Sequence, residues 1–362
     1  MSNYGYTNPF SICFTTMKHR YSDYDASIDK LNFVNRDDKV NVFINFESFL
    51  NNLSMIKDID SKLLLERNFP IILESEAINL CAHYKRFFRD NGLPTRVFLY
   101  YTDLESDDFR NFKYNDEYRS YYINKYVHNP KYYVLGNKMI TSIIPEIKKI
   151  MEFIPDTHFI TAKNIDSSLV PYIISKKDES YKNFIVTMDK YDSQYLLYKD
   201  KFCTHYLKRS PNGSSVFTTI EKLLENIFNS DTTDIMDLFM NSTYYSLLVG
   251  IAGDKPRSID PIKGVGIKTI LKFLSDAIKS GNLSKTTTSI NMIKDAIPPD
   301  ISSDMGVNFN CVNIDSQYKD LTEQDIFGIT NQIIDRFDFN SLLELNRTTF
   351  QNYPLMLNEL TQ

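Results

Sequence analysis

Apolar positions in this chain fall into short continuous runs separated by longer stretches with helical spacing. Lys39 to Asn45, KVNVFIN, is an apolar run closing on an amide, and it predicts a buried strand. Leu73 to Asp90 has the length and spacing of a helix, which Gly92-Leu93-Pro94 ends before a second strand-like run, Arg96 to Tyr101. Thr157 to Thr161 predicts a third strand, Asp166 to Ser175 a helix, and Asn183 to Thr187 a fourth strand that closes at Met188-Asp189. Strands alternating with helices imply an α/β fold: a parallel sheet flanked by helices on both faces, with functional residues gathered at the carboxyl ends of the strands. From about Ser215 the pattern turns helical, over Thr219 to Phe228 and Thr233 to Val249. The expected organisation is an N-terminal extension over 1–38, an α/β domain over 39–214, a helical module over 215–285 and a polar C-terminal extension over 286–362.

Composition narrows the partners. Lys and Arg number 41 against 46 Asp and Glu, a formal net charge of -5, so the chain is no polycation and any contact with nucleic acid is local. Cys13, Cys81, Cys203 and Cys311 lie far apart with no C-x-x-C pair, which argues against a zinc site or a disulfide framework and for a reducing compartment. The five histidines show no metal-ligand spacing. The opening segment lacks the basic start and apolar run of a signal peptide, and no apolar stretch is long enough to span a bilayer. These features predict a soluble, intracellular, cytoplasmic protein, in the host cytoplasm if the source is viral. Abundant Asn, Lys, Ile and Tyr with no Trp fit an AT-rich genome such as that of a virus or a low-GC bacterium.

Leu247 to Leu274, LLVGIAGDKPRSIDPIKGVGIKTILKFL, concentrates the candidate chemistry. Gly264 and Gly266 flank Val265 in a tight turn, where missing side chains let backbone N–H groups approach a phosphate or a cation. Ile267, Ile270, Leu271 and Leu274 then fall at helical spacing, with Lys263, Lys268 and Lys272 placing positive charge around the turn. A second candidate is the run Phe109 to Tyr126, where tyrosines and phenylalanines interleave with bases as a strand-stacking surface would require. The same spacing also fits an amphipathic helix lying against the sheet.

In the order of its motifs the chain resembles the 5′-nuclease superfamily, the flap endonucleases and 5′→3′ exonucleases of replication, over roughly Lys39 to Lys279. The family's hairpin pattern, GDxSDNIPGVxGIGxKTA, is matched by Gly253-Asp254 and then by Lys263-Gly264-Val265-Gly266-Ile267-Lys268-Thr269. Its FRxxxYxxYK segment is matched at Phe109, Arg110, Tyr118 and Arg119. The resemblance implies a PIN-like fold, a helix-hairpin-helix module that grips duplex DNA with the help of a monovalent cation, and a cluster of acids at the strand ends holding two magnesium ions. It assigns DNA binding to Arg110, Tyr118, Arg119, Lys263, Gly264, Val265, Gly266, Ile267 and Lys268.

The acidic positions depart from that pattern. Asp166, Asp189 and Asp254 are retained, but Asn45, Tyr100 or Tyr101, Asn164, Tyr191 and Arg257 stand where the family has other acids. Two-metal phosphoryl transfer needs enough carboxylates to offset two divalent ions about 4 Å apart. Three acids would suit at most one magnesium, and losing even one electrostatic group costs about 10²–10³ in rate. The expected function is therefore DNA binding, to duplex or branched DNA with a 5′ end, by a nuclease fold with lost or much reduced catalysis. Two alternatives stay open. One is an active magnesium-dependent nuclease using Asp166, Asp189 and Asp254, with Glu47, Asp103 or Asp192 replacing missing ligands. The other is a non-enzymatic scaffold with protein partners in a viral, replication or transcription assembly.

Overall fold

From Val40 onward the segment Lys39–Asn45 is buried on both faces, and this strand, β1, lies at the centre of a five-stranded sheet. The computed structural model describes residues 35, 37–46, 77–78, 81–102, 137–152, 154–163, 165–187, 192–198, 202–206, 238, 241–253, 261–299, 301, 309–310 and 312–333. The other strands are β2 (Thr95–Thr102), β3 (Thr157–Ala162), β4 (Tyr181–Thr187) and β5 (Phe202–Tyr206). They pair in the order β3-β2-β1-β4-β5, and every pairing is parallel. A parallel sheet is stable when both faces are covered, and its strands then read as unbroken apolar runs rather than alternating ones.

Helices supply both covers. On one face, Tyr84 and Phe88 of helix α1 (81–89) pack on Phe184 of β4, with ring centroids 6.0 and 5.2 Å apart. Cys81 of α1 meets Met151, the last residue of α2 (Asn137–Met151), at 3.8 Å between sulfurs. On the other face, Phe43, Phe98, Tyr100, Ile160 and Ile185 form one core with Leu169, Val170, Ile173 and Tyr195. The last group comes from a 3₁₀ turn (Ser167–Leu169), the helix α3 (Val170–Lys177) and a second 3₁₀ turn (Asp192–Leu197). The sequence places a helix from Asp166. Asp166 is instead the cap of the 3₁₀ turn, its Oδ1 accepting from the Ser168 N–H at 2.9 Å, and Pro171 sits in the first turn of α3, where its missing N–H costs nothing.

A second core belongs to the helical part. It joins Tyr244, Leu247, Leu248 and Ile251 of α4 (Ser242–Ala252) to Ile270, Leu274 and Ala277 of α5 (Ile267–Lys279), and takes in Leu283 and Ile293. Ile293 lies on the short helix α6 (Ile290–Asp295). Asn241 caps α4 by accepting from the Thr243 N–H at 2.9 Å, so the run that reads as one helix over Thr233 to Val249 is interrupted at Asn241, with Leu238 helical ahead of it.

The polar C-terminal stretch folds back onto the sheet domain through α7 (Ile314–Lys319) and α8 (Glu323–Thr330). Ile314 and Ile329 enter the sheet core. Gln194 donates to the Val312 carbonyl at 2.9 Å and accepts from the Ile314 N–H at 3.1 Å, while Asn313 donates to Ser246 at 3.0 Å. The Asp315 carboxylate accepts from the hydroxyls of both Tyr172 and Tyr198. Gln332 then caps the free edge of β3 as a strand would, its Oε1 accepting from the Thr161 N–H at 3.0 Å and its Nε2 donating to the Thr161 carbonyl at 2.9 Å.

Burial depresses the imidazole of His83 on α1 to a pKa of about 4, with Arg86 adding to the effect. Between that value and the unfolded value of about 6.5 the unfolded chain binds a proton that the folded one does not. Stability is therefore full above about pH 6.5 and falls by up to about 3 kcal/mol as the pH drops toward 4. Urea midpoints across that range should decline in wild type more steeply than in His83→Phe.

Candidate strand-end cluster and glycine turn

Side chains along a strand alternate faces, so Phe43 and Asn45, Phe98 and Tyr100, and Ile185 and Thr187 each share one face. Asn45 is level with Tyr100 in the β1–β2 register, and Thr187 lies one step beyond the Ile44–Val186 pair of β1 and β4. Three neighbouring strands thus carry, at or near their carboxyl ends, an amide, a phenol and a hydroxyl that point the same way. Asp192, the first residue of the 3₁₀ turn after β4, closes over them. Its Oδ2 accepts from Asn45 Nδ2 at 2.7 Å, from the Tyr100 hydroxyl at 3.0 Å and from the Thr187 hydroxyl at 2.6 Å. All four side chains are buried, Tyr100, Thr187 and Asp192 at 0% exposure and Asn45 at 3%.

This geometry settles which tyrosine stands at the end of the second strand. Tyr100 faces the cluster, whereas Tyr101 turns to the other face and meets Phe46 edge-on at 6.5 Å. It also shows what Asp192 does: a carboxylate oxygen engaged by three short hydrogen bonds is a buried acceptor, and each bond to a charged group is stronger than a neutral one. Asp166 lies at the end of the segment after β3, fully buried, with one oxygen bound to the Ser168 N–H. Between the two acids sits Tyr195. Burial holds its hydroxyl well above the usual tyrosine pKa, Asp192 and Asp166 both add to the rise, and it donates to the Ser168 carbonyl at 2.5 Å.

The donor set is a poor match for magnesium, which takes oxygen ligands in near-octahedral geometry. Among the described residues no three His, Cys, Asp or Glu side chains converge to hold a metal ion. Of the three retained acids, only Asp166 is described. Asp189 and Asp254 lie outside the described residues, as do Glu47, Asp103, Asn164, Tyr191 and Arg257. So do Arg110, Tyr118 and Arg119 of the aromatic and basic segment.

The glycine turn lies in the helical part. Helix α4 ends at Gly253, whose φ of 75° is left-handed, and the chain returns so that the Ile262 N–H donates to the Ile251 carbonyl at 3.1 Å. Ile262 to Gly266 then turn into α5, with the Val265 N–H reaching the Ile262 carbonyl at 3.3 Å. Gly264 has φ of 77°, which a side chain would strain, and a Cβ there would meet nothing within 4 Å. The glycine is required by the backbone and not by crowding. Gly266 occupies the cap position of α5 in extended conformation with no capping side chain, and again nothing lies within 4 Å of its missing Cβ. In the first turn of α5 the Thr269 N–H donates to the Gly266 carbonyl at 2.9 Å, and no side chain caps the turn at the positive end of the helix dipole. Lys263 and Lys268 are exposed on either side of this turn, and Val265 packs against the core of the helical part. An uncapped helix start between two lysines is suited to an anion.

Sequence reasoning missed Thr187, β5, α2 and the helices α7 and α8. Thr187 had a signal, since it closes an apolar run just as Asn45 does. The others had little: β5 is a five-residue edge strand, FCTHY, and α2 carries Pro145 inside it.

Neither a protein-family profile nor a curated protein sequence matches the chain. Among solved structures the chain is similar to the zinc-bound 5′-exonuclease of T5, at 13% identity and a TM-score of 0.49 over 81% of this chain and 95% of that one. It is similar also to the T5 D15 protein co-crystallised with metal ions, at 14% identity and a TM-score of 0.47 over 85% and 99% of the two chains. A third is a pseudo-enzyme–product complex of the bacteriophage T5 D15 flap endonuclease with DNA and metal ions, at 13% identity and a TM-score of 0.46 over 86% and 100%.

Proposed function

We propose that this chain is a 5′-nuclease-like protein that binds duplex or branched DNA and has lost two-metal catalysis. The observation that carries the reading is the strand-end cluster. Where the resemblance calls for carboxylates around metal ions, Asn45, Tyr100 and Thr187 donate to the single oxygen Oδ2 of Asp192. A hydrated cation that took this Oδ2 would have to displace three buried hydrogen bonds, which opposes metal binding at that oxygen.

DNA binding is supported by the other half of the resemblance. The helix-hairpin-helix motif keeps its glycines, its uncapped helix start and its flanking lysines, and backbone N–H groups there meet a phosphate without needing any carboxylate. A monovalent cation at the hairpin belongs to this reading, as do Arg110, Tyr118 and Arg119 meeting a strand end. In this reading any magnesium is held by Asp166, Asp189 and Asp254.

Three experiments test the reading. A labelled 5′-flap duplex should shift on a native gel in EDTA, and should remain intact when magnesium or manganese is added. Metal-dependent cleavage that vanishes in Asp189→Ala would overturn the loss of catalysis and make the chain a working nuclease. In Lys263→Ala/Lys268→Ala the dependence of log K on log[salt] should flatten by about two. Removing the acceptor in Asp192→Ala strands three buried donors and should cost about 3–5 kcal/mol in chemical denaturation, with DNA affinity per folded molecule unchanged. An Asp192→Ala protein as stable as wild type would contradict the acceptor role.

A further inference from the structure

The 3₁₀ turn that carries Asp192 is held from two sides. Side chains three residues apart in such a turn stand above one another, so Asp192, Tyr195 and, just past the end, Tyr198 line one edge, and Gln194 and Leu197 line another. Asp192 and Tyr195 reach inward, to the strand ends and to the Ser168 carbonyl. Gln194 and Tyr198 reach the C-terminal segment 312–333 instead. The Gln194 side chain bonds the Val312 carbonyl and the Ile314 N–H, and the Tyr198 hydroxyl donates to Asp315 at 2.6 Å. One short turn therefore joins the buried cluster to a segment 117 to 120 positions further along the chain.

That segment is seated by few apolar anchors. Ile314 and Ile329 are buried in the sheet core, while Tyr318, Leu321 and Ile326 are partly covered. Polar clips do the remainder. Tyr172 on α3 shares the Asp315 carboxylate with Tyr198. At the far end Gln332 Oε1 accepts from the Thr161 N–H and hydroxyl, each at 3.0 Å, and from Lys148 Nζ at 2.9 Å. Its Nε2 donates to the carbonyls of Thr161 at 2.9 Å and Gly328 at 2.7 Å. Two helices of six and eight residues held in this way open at a lower free energy than a sheet core.

We infer that residues 312–333 form a latch on the strand-end cluster. With the latch seated, Gln194 and Tyr198 hold the turn over the sheet, and Asp192 stays buried on Asn45, Tyr100 and Thr187. With the latch lifted, the turn loosens and the cluster opens to water. Latch and turn form one cooperative unit that opens while the rest of the fold stays closed. Coupling of this kind is reciprocal, so weakening the cluster from inside lifts the latch just as weakening the latch opens the cluster. Closure of the carboxyl edge of the sheet is thus a state set by the seating of the C-terminal segment, and neither DNA binding nor catalysis enters into it.

Hydrogen–deuterium exchange of the full chain, read on peptides by mass spectrometry, tests the latch. Gln332→Glu keeps the size of the side chain but turns the donor that faces the Thr161 and Gly328 carbonyls into an acceptor. Lys148→Met is a milder second variant that withdraws one donor from Gln332. Neither set of bonds involves the turn. In each variant the amides of 312–333 and of 192–198 should exchange faster by a common factor, about tenfold for Gln332→Glu, while α1 and α5 keep the wild-type rate. Thr187→Val takes one donor from Asp192 and should speed exchange over 312–333 from the inside. Faster exchange over 312–333 with wild-type rates over 192–198 overturns the latch. So does a rise over every peptide, because the segment and the turn then open only with the whole fold. Wild-type rates over 312–333 in Thr187→Val, or in both Gln332→Glu and Lys148→Met, overturn it as well.

Discussion

One carboxylate oxygen organises the carboxyl edge of the sheet. Asp192 Oδ2 takes hydrogen bonds from the ends of β1 and β4 and from Tyr100 near the end of β2, and none of the four side chains is open to water. A buried charge is tolerated only when it is well solvated by protein dipoles, and three donors supply that solvation. The arrangement fixes the 3₁₀ turn 192–197 over the sheet, and that turn in turn positions Tyr195 between Asp192 and Asp166 and places Gln194 against the C-terminal segment. The edge where an α/β fold ordinarily assembles its chemistry is here a closed polar joint.

The C-terminal segment completes that joint. Gln194 clips it at Val312 and Ile314, the Asp315 carboxylate ties it to Tyr172 and Tyr198, and Gln332 seals the edge of β3 at Thr161. Burial lifts both tyrosine hydroxyls far above their ordinary pKa, and the Asp315 carboxylate beside them reinforces the rise. They remain neutral donors across the accessible pH range. The helical part is held to this frame by the Asn313–Ser246 hydrogen bond and by Leu197, which reaches from the turn into the second core. The lysines of α5 are exposed, while its Ile270, Leu274 and Ala277 are buried in that core.

The strands and the glycine turn were legible because their signals are local. An apolar run closed by Asn45, by Tyr100 or by Thr187 reads as a strand ending at a polar edge, and Gly264 announces a left-handed turn. The loss of acids was legible too, as a list of replacements. What the replacements do together was not, since the convergence of Asn45, Tyr100 and Thr187 on Asp192 depends on register across three strands and joins residues as far apart as Asn45 and Asp192, 147 positions apart in the chain. The one-residue offset of Asp192 from Tyr191 looks in sequence like a displaced metal ligand, and only the fold shows its Oδ2 already taken. The C-terminal helices were hidden for the opposite reason: α7 and α8 are short and polar, and they are held by caps and single side-chain bonds instead of a long apolar stripe.

The account turns on whether Asp192 is an acceptor for protein donors or a ligand for a metal. Manganese titration followed by electron paramagnetic resonance, in wild type and in Asp192→Asn, asks that directly. The predicted result is the same free-manganese signal in both proteins at every concentration, because Oδ2 of the carboxylate is already engaged by Asn45, Tyr100 and Thr187 and the cluster is buried. A manganese ion bound by wild type and released in Asp192→Asn would contradict the closed joint and return the strand ends to metal chemistry.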